Sequence, residues 1–208
     1  MKIRQNDQVA IDGDRIDNLD DARRAYRRRL AANDPEYKVF FYSSEALYNG
    51  RLAYNGKLLH TIIAPGDTVL DVGCGTGNLI PSLPPCDYRG IDMLADFIDI
   101  ARQRYPDLHF ECTQIADVET TCDWVLMVGI TGALLHPEKS IEKAWSLAGK
   151  GLLIDFIDAR KDEKDDRGTY RMGALTDFFL DLGAQRIETH QTRQYWTILV
   201  VHKRSLWL

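Results

Sequence analysis

The ten residues Val69-Leu70-Asp71-Val72-Gly73-Cys74-Gly75-Thr76-Gly77-Asn78 constrain this chain more than any other stretch. Thr68 to Val72 is apolar and β-branched enough for a central strand, and Gly66-Asp67 before it signals a turn. Glycines at alternate positions let the backbone turn tightly and let a ligand approach where a Cβ would clash. A helix expected over 78–83 would offer unpaired N–H groups and a positive dipole end to a polar ligand group. Asp92 ends a second expected strand, Tyr88-Arg89-Gly90-Ile91-Asp92, about twenty residues after Asp71. That spacing fits a strand-loop-helix-strand unit whose second strand presents a carboxylate to ribose hydroxyls.

Glycine spacing discriminates between ligands. A dinucleotide fingerprint, G-x-G-x-x-G, would place its third glycine at position 78, where this chain has Asn. Gly77 closes the series instead, in the pattern D-x-G-x-G-x-G. This pattern resembles motif I of the class I S-adenosylmethionine-dependent methyltransferases. The resemblance runs from about Tyr42 to Arg204 and is sharpest at motif I and Asp92.

The resemblance implies S-adenosylmethionine as cofactor and assigns residues to it. Gly73, Gly75 and Gly77 approach the methionine moiety and ribose. Cys74 faces the ligand with its backbone rather than its thiol. Thr76 and Asn78 hydrogen-bond the methionine carboxylate. Asp71 either orders the loop and reaches the amine through water or caps the turn. Asp92 takes both ribose hydroxyls, because a carboxylate accepts two hydrogen bonds at once. Met93 lies against adenine or packs at a helix start. Gln114 stands where many relatives carry an acid for the adenine amino group, with Asp117 as the fallback, and Ile115 packs on the adenine face. Val128 and Gly129 end the fourth strand beside the sulfonium. Tyr42-Ser43-Ser44-Glu45-Ala46 with Arg51 resembles a segment that folds over the methionine end. There Arg51 pairs with the carboxylate or forms a surface salt bridge.

Composition bounds the remaining readings. At 208 residues, 45% apolar and 27% charged, the chain suits one soluble domain with a modest extension. A formal net charge of −5 gives no general attraction to nucleic acid. No apolar run approaches the ~20 residues that span a bilayer, and the start MKIRQNDQ lacks the apolar core of a secretion signal. Cys74, Cys86, Cys112 and Cys122 contain no C-x-x-C pair, so neither a zinc site nor a disulfide framework is expected. A reduced, cytoplasmic protein is the expectation, with no membrane partner and no metal.

Residues 1–42 read as a helical N-terminal extension over the site, and 43–208 as the cofactor-binding domain. Asn18 or Asp20 caps a helix running to about Ala32. Its run Arg23, Arg24, Arg27, Arg28, Arg29 is a solvated face or an acidic-ligand site; nearby aspartates, among them Asp7, Asp12 and Asp17, nearly cancel its charge. Tyr37, Phe40, Phe41 and Tyr42 form an aromatic cluster where the extension joins the core. Helical spacing covers 43–63. Strands are expected at 68–72, 88–92, 108–112, 123–129 and 151–157, with helices near 78–83, 94–105, 138–148 and 172–182. Such alternation means a mainly parallel sheet with helices on both faces. Arg186 to His190 and Tyr195 to His202 are too closely linked for anything but an antiparallel hairpin. The expected fold is α/β: a three-layer, Rossmann-like, mainly parallel seven-stranded sheet ending in that hairpin.

Methyl transfer needs an acceptor held in line with the methyl–sulfur bond and water kept out. A general base helps only if the acceptor keeps a proton at neutral pH. His136, just past the fourth strand, is the candidate base or simply a residue preceding the helix at Pro137; Tyr42, Tyr170, Arg171 and Trp196 also stand near the mouth. The fourth strand carries no Asn/Asp-Pro-Pro-Tyr/Phe sequence for planar amino groups, and Pro85-Cys86 lies too early to be a cytosine-type nucleophile. A small-molecule acceptor is the first expectation. Protein or RNA methylation, or cofactor binding without catalysis, are the alternatives.

Overall fold

The computed structural model describes residues 3, 9–11, 14–40, 42–158, 169–191 and 196–203. Phe41, Asp7, Asp12, Tyr195 and residues 159–168 lie outside the described residues. The elements are β1 (Val9–Ile11), β2 (Asp14–Ile16), α1 (Leu19–Ala31), α2 (Glu36–Val39), α3 (Glu45–Ile62), β3 (Thr68–Val72), β4 (Asp87–Asp92), α4 (Ala95–Arg104), β5 (His109–Cys112), β6 (Cys122–Met127), α5 (Pro137–Leu147), β7 (Ala148–Ile157), α6 (Met172–Asp181), β8 (Arg186–Gln191) and β9 (Trp196–His202).

Among the described residues, seven strands form one sheet in the order β5-β4-β3-β6-β7-β9-β8. The pairs from β5 through β7 are parallel. β9 slips between β7 and β8 and is antiparallel to both. Its sequence Ile198-Leu199-Val200-Val201 is buried on both faces, because helices cover the sheet on either side. Chain order reverses between β3 and β6, so the crevice beyond their C-terminal ends is the ligand position of such a sheet.

Alternation along the strands builds two cores. Leu59 and Ile63, at the end of α3, pack with Val69, Trp124, Leu126, Leu153, Ile198 and Val200 on one face. Ile141, Ala144 and Trp145 of α5 and Leu175 and Phe179 of α6 pack with Leu70, Val125, Leu152, Ile154 and Leu199 on the other. No helix among the described residues is long and apolar enough to cross a membrane.

Three local outcomes differ from the sequence expectation. The helix expected at 78–83 is absent; turns lead into a single 3-10 turn, Ile80–Ser82. Pro81 lies inside the expected span, where a proline costs a helix about 3 kcal/mol and removes an N–H, and Pro84 and Pro85 bar its continuation. β6 stops at Met127, because Gly129 turns to a positive φ of 83° and points its N–H at Asp155. The N-terminal extension is not wholly helical, because β1 and β2 form a hairpin before α1. Asn18 is the cap of α1: its side chain accepts from Asp20 and Asp21, and the Asp21 carboxylate accepts from the Asn18 N–H.

At the opposite, N-terminal end of the sheet, one carboxylate ties three strands together. Asp67, just before β3, accepts from the indole of Trp124 in β6 at 3.1 Å, from the Ala64 N–H at 3.0 Å and from Lys150 of β7. Asp67 is buried, so losing it would strand the Trp124 and Ala64 donors. Asp67→Ala should therefore cost about 1–3 kcal/mol, read as a lower urea midpoint with unchanged slope.

Candidate functional site

The glycine loop is built onto the end of the neighbouring strand. Gly73 and Cys74 both donate their N–H to the Ile91 carbonyl, at 2.8 and 3.0 Å. Gly75 donates to Oδ2 of Asp92 at 3.0 Å, and Leu94 to Oδ1 at 2.9 Å. Gly73, Gly75 and Gly77 all take positive φ, of 73°, 54° and 83°, which explains glycine at these positions on backbone grounds alone. The space beside all three is filled by protein, that beside Gly77 by the Tyr105 ring at 2.8 Å. A Cβ on Gly73 would lie 2.0 Å from Ile130 Cγ2, and one on Gly75 2.9 Å from the Phe40 ring. Phe40 comes from the N-terminal segment, which lies over the loop.

Asp92 is 9% exposed. Its carboxylate accepts from backbone N–H groups, and burial pushes its pKa up to about 6. Asp71 sits beneath the loop, 2% exposed, accepting from the Tyr88 hydroxyl at 2.9 Å, and burial pushes it up to about 7. The Cys74 thiol packs inward with Tyr88 and Phe110, and burial raises its pKa.

Thr76 and Asn78, expected to open a helix toward the ligand, instead engage Arg104 and Glu36. The Thr76 hydroxyl donates to Glu36 Oε1 at 2.7 Å, and Arg104 Nη1 donates to Asn78 Oδ1 at 3.0 Å. The missing helix is the reason: without it, no ordered first turn aims these side chains at a ligand.

The second half of the site forms where β6 and β7 end. Asp155 of β7 is fully buried. Its Oδ2 accepts from Arg51 Nε at 2.8 Å, from Arg51 Nη2 and from Asn55 at 3.3 Å. Its Oδ1 accepts from the Gly129 N–H at 2.8 Å. Arg51 Nη1 donates to the Tyr42 hydroxyl, and the guanidinium lies 4.1 Å from the Trp196 ring centre. Neither expectation for Arg51 matches this arrangement. It makes no surface salt bridge, being 7% exposed, and its two-nitrogen edge faces Asp155 rather than standing open to a ligand carboxylate. An arginine buried this far is held by a fully buried acid, because either charge alone would be costly.

Around these groups stands the N-terminal extension. Ala22 and Ala25 of α1 pack with Met93, Ala133 and Leu135, and Tyr26, Leu30 and Phe40 pack with Met93, Leu94 and Phe97. Val128 packs into the α3 face of the core. Gln114 and Asp117 are exposed, whereas Ile115 is buried in the same core as Ile3. His136 is exposed at the start of α5, and Tyr170 is buried with its hydroxyl donating to the Thr131 carbonyl at 2.7 Å.

Sequence reasoning missed Asp155, Asn55, Glu36 and Arg104. Asp155 did leave a signal: an acid inside the run Leu152-Leu153-Ile154-Asp155-Phe156-Ile157 must be buried and partnered. Glu36 and Arg104 left none, since each reads as an ordinary surface charge.

Residues 69–150 match a family described as "Methyltransferase domain". No curated protein matches the chain. Among solved structures, it is similar to magnesium protoporphyrin IX methyltransferase from Synechocystis PCC 6803 with bound S-adenosylmethionine, with 19% identity, a TM-score of 0.66, and 90% of this chain and 93% of that chain covered. It is also similar to the N-methyltransferase NodS from Bradyrhizobium japonicum WM9, with 14% identity, a TM-score of 0.60, and 77% and 98% covered. A third likeness is to the plantazolicin methyltransferase, with 12% identity, a TM-score of 0.59, and 90% and 100% covered.

The two raised carboxyl groups set a pH dependence. Asp71 and Asp92, near 7 and 6 against an ordinary 3.8, hold their protons more tightly folded than unfolded. Their contribution to stability is full below about pH 4 and is lost as pH rises through about 6 to 7. Asp71→Asn keeps an acceptor for Tyr88 but removes the titration. Its thermal midpoint should fall less than that of the wild type between about pH 5 and pH 8. Equal falls would show that Asp71 does not titrate there.

Proposed function

We propose that this chain, whose residues 69–150 match a family described as a methyltransferase domain, is a class I, S-adenosylmethionine-dependent enzyme that transfers a methyl group to an oxygen, nitrogen or carbon atom of a small molecule. The observation that carries the cofactor assignment is Asp92. It is a buried carboxylate at the end of β4 whose donors are backbone N–H groups, so further donors such as two ribose hydroxyls would complete its hydrogen bonding. The cofactor supplies the electrophilic methyl group and its own leaving group.

The chain's residues do the rest. Asp92 holds the ribose and keeps the glycine loop in register with it. Gly73 and Gly75 accept the methionine end along the loop once Phe40 moves aside. Met93 and Ile115 flank the adenine, and Gln114, exposed at the third strand end, hydrogen-bonds its edge. Asp155 holds Arg51 and the Gly129 N–H at the end of β6. Tyr42 and Trp196 then form an aromatic wall beside the acceptor, and His136 takes the acceptor's proton where there is one to lose. The N-terminal segment acts as a cover, with Tyr26 and Phe40 excluding water from a sulfonium that water would otherwise solvate.

Support for a small acceptor comes from two sides. Similar proteins are named for magnesium protoporphyrin IX and for plantazolicin. Within this chain, Arg23, Arg24, Arg27 and Arg29 are each paired with an aspartate, which leaves the basic run little field to attract a polyanion.

Titration calorimetry tests the reading. S-Adenosylmethionine and S-adenosylhomocysteine should bind, and nicotinamide dinucleotides should not; the reverse result would sink it. Asp92→Ala should weaken S-adenosylhomocysteine binding by about 1.5–3 kcal/mol. Gly75→Val should weaken it further, since a side chain there must take positive φ and meet Phe40. Unchanged affinity in folded Asp92→Ala protein would place the ribose elsewhere.

A further inference from the structure

The turn that replaces a helix after the glycine loop closes its own backbone bonds, Gly77 to Cys74 and Ile80 to Gly77, but leaves the Thr76 and Asn78 side-chain oxygens to a partner elsewhere in the chain. One nitrogen meets both. Nη1 of Arg104, the last residue of α4, lies 3.0 Å from Thr76 Oγ1, 3.0 Å from Asn78 Oδ1 and 2.6 Å from Glu36 Oε1. The Thr76 hydroxyl closes the ring by donating to the same Glu36 oxygen at 2.7 Å. Glu36 opens α2, and Phe40 immediately after that helix rests against Gly75. The N-terminal segment is therefore fastened to the cofactor loop at two points, one ionic and one aromatic.

Position and burial decide what this cluster does. The Glu36–Arg104 pair is about half-exposed, with side chains 35% and 42% accessible, and such pairs add little to global stability. Its partners Thr76 and Asn78 flank Gly77 and belong to the loop itself. A contact that contributes little to the whole fold but grips the ligand loop acts locally, on how that loop is held. Phe40, moreover, lies against Gly75 in the middle of that loop.

We propose that Glu36 and Arg104 are positioning residues for the cofactor loop, standing in for the helix that the prolines exclude, and that through them the N-terminal segment governs how fast the cofactor leaves. The proposal rests on the reading of this loop as the S-adenosylmethionine site.

Dissociation of S-adenosylhomocysteine from the full chain, followed by stopped flow, tests it. Arg104→Met should speed dissociation roughly tenfold and Glu36→Gln about fivefold, with the double variant no faster than Arg104→Met because both break one unit. Arg104→Lys should stay within about threefold of wild type, since one ammonium can serve contacts that all run to one nitrogen. Thermal midpoints should move little. Dissociation within about twofold of wild type in both Glu36→Gln and Arg104→Met, or effects that multiply in the double variant, would overturn the proposal. If Arg104→Met does not fold, Glu36→Gln alone decides, because its side chain is already partly in solvent. Failure of the wild type to bind S-adenosylhomocysteine is a distinct result: it removes the cofactor reading, and this proposal with it.

Discussion

The Asp92 carboxylate joins two pieces of chain that the sequence keeps apart. Its oxygens accept from Gly75 in the loop after β3 and from Leu94 at the start of α4. The Ile91 carbonyl, one residue earlier, accepts from Gly73 and Cys74. The loop is thus templated on the end of β4. The carboxylate is desolvated to do this, which is why its pKa rises despite its backbone donors Leu94, Gly75 and Met93. Any further donor reaching this acid would favour its charged form.

A parallel arrangement governs the other half of the site. Asp155 collects Arg51, Asn55 and the Gly129 N–H in the interior. Burying this ion pair is not an economical route to stability, since an apolar packing of similar size often does as well. Its effect is geometric: it joins α3, the end of β6 and the middle of the sheet, and sets Arg51 against Trp196 and Tyr42. The two carboxylates lie on either side of the switch point between β3 and β6, where the sheet leaves a crevice.

Much of the fold was legible because hydrophobic periodicity is a local property. The strands at 68–72 and 88–92 and the helix preceding them follow from apolar spacing, and the short link before β9 forced an antiparallel hairpin. The helix expected after the glycine loop failed for a reason also present in the sequence, the prolines at 81, 84 and 85. There a motif-based expectation outweighed a local breaker, and the breaker prevailed physically. Gly73, Gly75 and Asp92 were legible because backbone sign and strand-end position follow from motif spacing. Arg51 was legible as a charge of consequence but not in its partner, because Asp155 lies more than a hundred residues away.

By itself, the sequence determined the α/β alternation, the positive-φ glycines, the acid at the second strand end and an N-terminal segment whose opposing charges nearly cancel. These depend on residues near one another along the chain. Only the tertiary structure decided that Phe40 covers Gly75, that Glu36 and Arg104 grip Thr76 and Asn78, and that Asp155 captures Arg51. Each of these joins segments brought together by the packing of helices on the sheet. A half-exposed ion pair or a buried arginine leaves no periodic trace by which its partner could be read in advance.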